Sequence, residues 1–185
     1  MDQRALVERA ARGDHDAFAV LATAASARLD SAARLILRDP ELARDAVQNS
    51  LIRAWRDLPG LRDPDRFDAW LHRLLVNSSL DEARRRRRRP IEVEIKAIDE
   101  PAGSDATGHL ADRDLVERAL VRLDPEHRAL VVLHYYLGYP LPEAATSLGI
   151  SLPAAKSRLH RAMQGLRRSM TADVSVVPLE GGRTA

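Results

Sequence analysis

The sequence predicts an all-α chain: two small helical domains joined by a flexible acidic linker, the second a helix-turn-helix unit. Three observations lead there. Helix punctuation recurs along the 185 residues, with aspartate or serine at cap positions, proline at first helical positions and glycine after helix ends. No segment alternates apolar and polar residues with the period of two that a half-buried strand needs. Between Ile91 and Gly108 the helical pattern vanishes, and proline, glycine, serine and threonine appear among Glu92, Glu94, Asp99, Glu100 and Asp105. The expected boundaries are an N-terminal domain over 1–90, a linker over 91–109, a helix-turn-helix domain over 110–170 and a tail over 171–185. No internal repeat is present.

Composition narrows the class. Hydrophobic residues at 45% and charged ones at 30% describe a soluble globular protein with a real but modest core. The net charge is only +2, yet all but two of the 29 basic residues are arginine. Arginine's planar, permanently charged fork suits phosphates and base edges, whereas so small a net charge argues against a purely electrostatic binder. The absence of cysteine excludes disulfides and cysteine metal sites. With no apolar stretch near membrane-spanning length and no secretory signal at the N-terminus, a cytoplasmic protein without membrane insertion is expected.

The elements follow in order. Asp2 and Asp14 stand as N-caps, with Gly13 separating two helices. Asp39-Pro40 opens a helix over Pro40 to Asp57 whose buried stripe is Ala43, Ala46, Val47, Leu51, Ala54 and Leu58. The opposite stripe reads Asp45, Gln48, Asn49, Ile52 and Arg56, which puts Ile52 on the wrong side for the domain's own core. An exposed isoleucine framed by amides and charges is equally an ordinary surface residue or part of a helix that docks on a partner protein.

Asp63-Pro64 opens the next helix, which buries Phe67, Trp70, Leu71, Leu74 and Leu75. Along one edge of its remainder lie Arg66, Arg73, Asn77 and Arg84, and the edge runs into six consecutive arginines, Arg84 to Arg89, stopped by Pro90. A positive stripe containing an asparagine suits a nucleic-acid strand whose backbone is held and whose bases are inspected. A solvated charged face over a core made by Phe67 and Trp70 is the plain alternative.

In the second domain Asp124-Pro125 and Ser151 repeat the cap device. Within "LPEAATSLGISLPAAKSRLHRAM" a short helix from Pro142 ends at Gly149, Ser151 caps the next, and the turn has the length and glycine of a helix-turn-helix. At 100° per residue Leu159, Ala162, Met163 and Leu166 share one side of the second helix. Ser157, His160, Arg161, Gln164 and Arg168 share the other, with Lys156 and Arg158 flanking it where phosphates would lie.

Taken in order and spacing, "ELARDAVQNSLIRAW", "RFDAWLHRLLVNSSLDEARRRRRR" and "LDPEHRALVVLHYYLGYPLPEAATSLGISLPAAKSRLHRA" closely resemble bacterial sigma factors of the extracytoplasmic-function group, over Ala17 to Arg168. The resemblance implies a subunit that binds core RNA polymerase and promoter DNA, one domain opening and reading the minus-ten element and the other reading the minus-thirty-five element. It implies that Asp45, Gln48, Asn49, Ile52 and Arg53 dock on the polymerase clamp helices. It also implies that the stripe with Arg66, Arg73 and Asn77 meets the minus-ten strand, and that Lys156, Ser157, Arg158, His160 and Arg161 belong to the minus-thirty-five recognition helix, whose reading face also carries Gln164. Arg84, Arg85 and their neighbours would then clamp phosphates upstream of the opened segment. The linker would thread through the polymerase, and an anti-sigma protein is a further candidate partner. Asn49 stands where members commonly carry an acidic residue, and "NSSLDEA" is unusually polar for the group.

An enzyme would need a constellation, and the six histidines show no HExxH spacing, no cysteine companions and no glycine-rich phosphate loop. Neither catalysis nor a cofactor is expected. The rival reading that stays open is a self-sufficient helix-turn-helix transcriptional regulator that binds duplex DNA without polymerase.

Overall fold

The computed structural model describes residues 2–88, 120 and 122–174, with side chains through residue 168. Among these residues there are helices and turns and no strand. Helices α1 (Gln3–Ala11), α2 (His15–Leu37) and α3 (Pro40–Asp57) are followed by two 3-10 turns, Leu58–Gly60 and Pro64–Arg66, and by α4 (Phe67–Arg88).

The caps explain the starts. Asp14 Oδ1 accepts from the Ala17 backbone N–H at 3.0 Å, Asp39 Oδ1 from Glu41 and Leu42 at 3.0 and 3.1 Å, and Asp63 Oδ1 from Asp65 at 3.1 Å. Each satisfies a donor the helix leaves open, worth about 1 kcal/mol. Gly13 has φ of 95°, a left-handed conformation that lets the chain reverse between α1 and α2. At the other end of α2, Arg38 takes φ 57° and returns its N–H to Arg34 O at 2.8 Å.

Helix α3 presents Ala43, Ala46 and Ala54, all fully buried, to its neighbours. Those small side chains let the α3 backbone sit close to α2 and α4, whose Leu29, Ile36, Phe67, Leu71 and Leu75 fill the space. Trp55 closes the outer edge, its ring 4.3 Å from His15 and 5.1 Å from Phe18. The Ser78 and Ser79 hydroxyls lie buried in this interior, and neither has a hydrogen-bond partner among the described residues.

The C-terminal unit comprises α5 (Pro125–Val131), a π-helical segment (Val132–Tyr136), α6 (Leu141–Ser147) and α7 (Leu152–Val174). In the π segment Leu137 N–H reaches Val132 O at 2.9 Å, five residues back, and the altered phase leaves Tyr135 and Tyr136 exposed. Gly149, at φ 65°, makes the turn between α6 and α7. Gly165 lets α7 approach Leu123, whose Cδ2 would lie 3.1 Å from a Cβ at that position.

One sequence expectation changes, while helix α7 runs to Val174. Asp124 occupies an N-cap position but makes no side-chain cap bond, because its carboxylate is engaged by Arg87 instead. The Ser151 cap is long, with Ala154 N–H 3.4 Å from its hydroxyl. The linker 91–109, Pro90, residues 110–119 and the last eleven residues lie outside the described ones.

The two units also pack on each other. One apolar cluster runs from Leu6 in α1 through α2 and α4 to Leu130, Leu133, Ala144 and Ala155 in the C-terminal unit. Polar contacts line the same seam. Arg128, only 7% exposed, donates Nε to Ile36 O at the end of α2 and Nη1 to Leu123 O at 2.8 Å. Burial, with Arg38 adding repulsion, pulls its guanidinium pKa down to about 10, so it stays a cation at neutral pH and uses main-chain carbonyls as its counter-dipoles. His72 Nδ1 and the Tyr139 hydroxyl meet at 2.6 Å, and Arg28 Nη2 lies 3.4 Å from Leu137 O.

Candidate nucleic-acid and partner interfaces

Helix α3 displays the first surface. Ala43, Ala46 and Ala54 anchor its inner face, and the helical period turns Asp45, Gln48 and Ile52 outward; Ile52 is 57% exposed. Asn49 and Arg53 lie at the border with α4 and are half-buried. Asn49 Nδ2 donates to Glu82 Oε1 at 3.2 Å, and Arg53 Nη2 lies 3.4 Å from Asp81 Oδ2. The stripe is therefore an apolar residue among polar ones, with two of its members braced by the neighbouring helix.

Helix α4 displays the second. Arg66, just ahead of it, and Arg73, Asn77, Arg84 and Arg85 along it are all exposed, while Phe67, Leu71, Leu75 and Val76 are buried beneath. Helix continues through Arg88 in spite of the charge repulsion, and local chemistry shows why. Arginine is a good helix former, cations are favoured at a helix C-terminus, and carboxylates meet the run at several points. Glu82, 8% exposed, accepts from Arg85 at 2.7 Å; Asp81 lies 3.5 Å from Arg84; Asp39 lies 2.7 Å from Arg86.

The third surface is the outer face of α7. Lys156, Ser157, His160, Arg161 and Gln164 are exposed above the buried Ala155, Ala162 and Leu166. Gln164 Nε2 and His160 Nε2 are 2.9 Å apart, and Arg161 Nε lies 3.4 Å from Ser157 O, so the face is a row of polar heads at one-turn spacing. Arg158 sits to one side, half-buried, with Nη2 3.1 Å from Glu126 Oε2.

The sequence-predicted residues thus form three separate exposed faces rather than one cleft. Residues that sequence reasoning missed hold these faces in place. Asp81 and Glu82 were visible as i,i+3 partners of Arg84 and Arg85. Asp124, Glu126, Arg128 and Tyr139 carried no such signal, because their partners lie far away in the chain.

Residues 21–89 match the family model of sigma-70 region 2, and residues 113–166 match that of sigma-70 region 4. The chain is 36% identical over 135 residues to the ECF RNA polymerase sigma factor SigL of Mycobacterium tuberculosis, which covers 71% of this chain and 76% of SigL. Among solved structures it is similar to CnrH in complex with the cytosolic domain of CnrY, with 31% identity, TM-score 0.65, and 92% and 98% of the two chains covered. It is also similar to the sigma factor RpoE of Bartonella quintana in complex with the anti-sigma factor NepR, with 25% identity, TM-score 0.63, and 79% and 91% covered. Two sigma-70 regions in their expected order, on a helical frame shared with solved sigma factors, make this chain a member of the extracytoplasmic-function RNA polymerase sigma factors.

Proposed function

We propose a division of labour among the three faces. Asp45, Gln48, Asn49, Ile52 and Arg53 dock on core RNA polymerase. Ile52 supplies the apolar anchor, and Asn49 and Arg53 are held in register by Glu82 and Asp81. Arg66, Arg73 and Asn77 meet the opened minus-ten strand, and Arg84 and Arg85 hold phosphates of the duplex upstream. On α7, Ser157, His160, Arg161 and Gln164 face the base edges of the minus-thirty-five element, while Lys156 and Arg158 take phosphate. The chain is a regulatory subunit rather than an enzyme, uses no cofactor and acts in the cytoplasm; no helix of the described residues is long and apolar enough to cross a membrane. An anti-sigma protein is a partner on the same reading, since the B. quintana RpoE it resembles was solved in complex with the anti-sigma factor NepR.

The observation that carries this reading is the sharp division of α7. Ala155 and Ala162 are fully buried, and every polar side chain assigned to base edges is exposed on the opposite side. Arg161 lies one turn beyond Ser157, where a guanidinium fork can donate two hydrogen bonds to guanine. Arg161→Ala and Arg158→Ala are to be assayed in holoenzyme against single-base variants of an upstream promoter element at several salt concentrations. Loss of a base contact costs roughly 1 to 3 kcal/mol and relaxes preference at one position, whereas loss of a phosphate contact weakens all sequences alike and lowers the salt slope by about one. Uniform weakening by Arg161→Ala, or loss of discrimination at one base pair by Arg158→Ala, refutes the assignment.

A further inference from the structure

Arginine supplies nearly all the cations of this chain, and the exception among the described residues is Lys156. The sequence holds one other lysine, Lys96, which lies outside the described residues. Lys156 is exposed on the outer face of α7. Its difference from its neighbours is chemical as well as electrostatic. A guanidinium stays protonated and attacks nothing, whereas a lysine amine that sheds its proton is a nucleophile.

Lys156 also stands apart in its contacts. Arg84, Arg86 and Arg87 each meet a carboxylate, Arg158 meets Glu126, and Arg161 turns Nε back toward Ser157 O. The Lys156 side chain makes no hydrogen bond or ion pair among the described residues. It borders instead an open cavity of about 290 Å³, where Leu141, Leu159 and Met163 form an apolar lining beside Tyr135 and His160. His160 is one helical turn beyond Lys156, on the same side of α7. Gln164 Nε2, an atom that only donates, lies 2.9 Å from His160 Nε2, so that ring nitrogen holds a lone pair and the imidazole is a neutral base. A free amine, a base four residues on and a small apolar recess therefore share one wall.

We propose that Lys156 is an acylation site, modified directly by small acyl phosphates, and that the modification weakens the hold of α7 on DNA. The second half of the proposal rests on the DNA reading of α7. In the step, His160 takes a proton from the Lys156 ammonium through one water, and the freed amine attacks the acyl carbonyl carbon. The C–N bond forms and the bond from that carbon to the phosphate oxygen breaks. Hydrogen phosphate leaves with the electron pair and the amine's second proton, and His160 returns its own proton to solvent. Nothing is oxidised or reduced. The acyl methyl group rests against Leu141 and Leu159. The new amide is neutral, so α7 loses a cation assigned to phosphate while Ser157, Arg161 and Gln164 keep their places toward the base edges.

The test incubates the full chain with acetyl phosphate and follows acetylation at Lys156 and Lys96 by peptide mass spectrometry. Lys156 should react several times faster than Lys96, and His160→Gln should remove that advantage. Binding is then measured in holoenzyme on a promoter fragment over a salt series, in a Lys96→Arg background that confines lysine acetylation to Lys156. The treated protein should bind severalfold more weakly, with a salt slope shallower by about one and unchanged discrimination among minus-thirty-five variants. Lys156→Gln should reproduce the loss without treatment. Lys156→Arg, which keeps the charge and takes no acyl group, should hold its affinity before and after treatment. Equal rates at the two lysines, a Lys156 advantage that survives His160→Gln, or a chain acetylated at Lys156 that binds as untreated protein does, overturns the proposal. Failure of the underlying DNA reading looks different: Lys156→Gln and Arg161→Ala would then both leave promoter affinity intact although Lys156 is acetylated selectively, and the regulatory role would fall with that reading.

Discussion

His72 makes the fold acid-sensitive, and the size of the effect follows from its surroundings. Its ring is 6% exposed, packed at the seam with Nδ1 against the Tyr139 hydroxyl. Burial lowers its pKa from 6.5 to about 4; the Arg28 cation pushes the same way, and Asp68 opposes both. In the unfolded chain the ring regains the ordinary value, so between these two pH values the unfolded state binds a proton that the folded state refuses. Stability from this group is fully present above pH 6.5, falls as pH drops below it, and is lost once pH passes the folded value near 4. At 1.36 kcal/mol per pH unit, the whole contribution is about 3 kcal/mol and the part already lost at pH 5 is about 2 kcal/mol. That is a large share of the 5–15 kcal/mol typical of a domain. The assay is urea unfolding followed by far-UV circular dichroism from pH 7.5 to 4.5, comparing wild type with His72→Gln, whose amide keeps a partner for Tyr139 and does not titrate. The difference between the two should move by about 2 kcal/mol between pH 7 and pH 5, with wild type losing more. A difference that stays flat over that range refutes the neutral, buried histidine.

Two further outcomes are expected. Ile52→Glu should shift unfolding free energy by no more than about 0.5 kcal/mol, since Ile52 is 57% exposed, yet weaken binding to core polymerase; marked thermal destabilisation would place the side chain in the domain's interior. Ser79→Ala removes a buried hydroxyl with no partner among the described residues and improves helix propensity, so it should raise the urea midpoint by the equivalent of about 1 kcal/mol with an unchanged m-value. A lower midpoint would show that the hydroxyl is satisfied.

Much of the architecture is legible in the sequence because its signals are local. An aspartate before proline with apolar residues at helical spacing needs only its own neighbours to form a capped helix, and Asp39 and Asp63 behave accordingly. The same periodicity puts Ile52 outside and Phe67 inside, and leaves the polar row of α7 facing out over Ala162. The remainder depends on partners distant in the chain. Arg128 bonds a main-chain carbonyl 92 residues away, and any residue type at position 36 would present that carbonyl. Asp124 reads as a cap from its neighbours and becomes an ion-pair partner only when α4 brings Arg87 alongside. The run "VVLHYY" is equally compatible with α or π phase, so the exposure of Tyr135 and Tyr136 depends on a hydrogen-bond shift that apolar patterning does not encode. Asn49 and Glu82, 33 residues apart, become partners through the α3–α4 contact, although each helix was readable alone.

The central claim is that the chain acts through polymerase, and run-off transcription on fragments of the host genome tests it most directly. Core RNA polymerase, the purified chain, and the two together would each be supplied with nucleotides and the 5′ ends mapped. Discrete new start sites should appear only when both are present, with upstream elements at a constant spacing to match two DNA-reading faces on one subunit. If the mixture yields no transcript that core polymerase lacks, while the chain alone footprints duplex sites tightly, it works as a self-sufficient DNA-binding regulator and the account is contradicted.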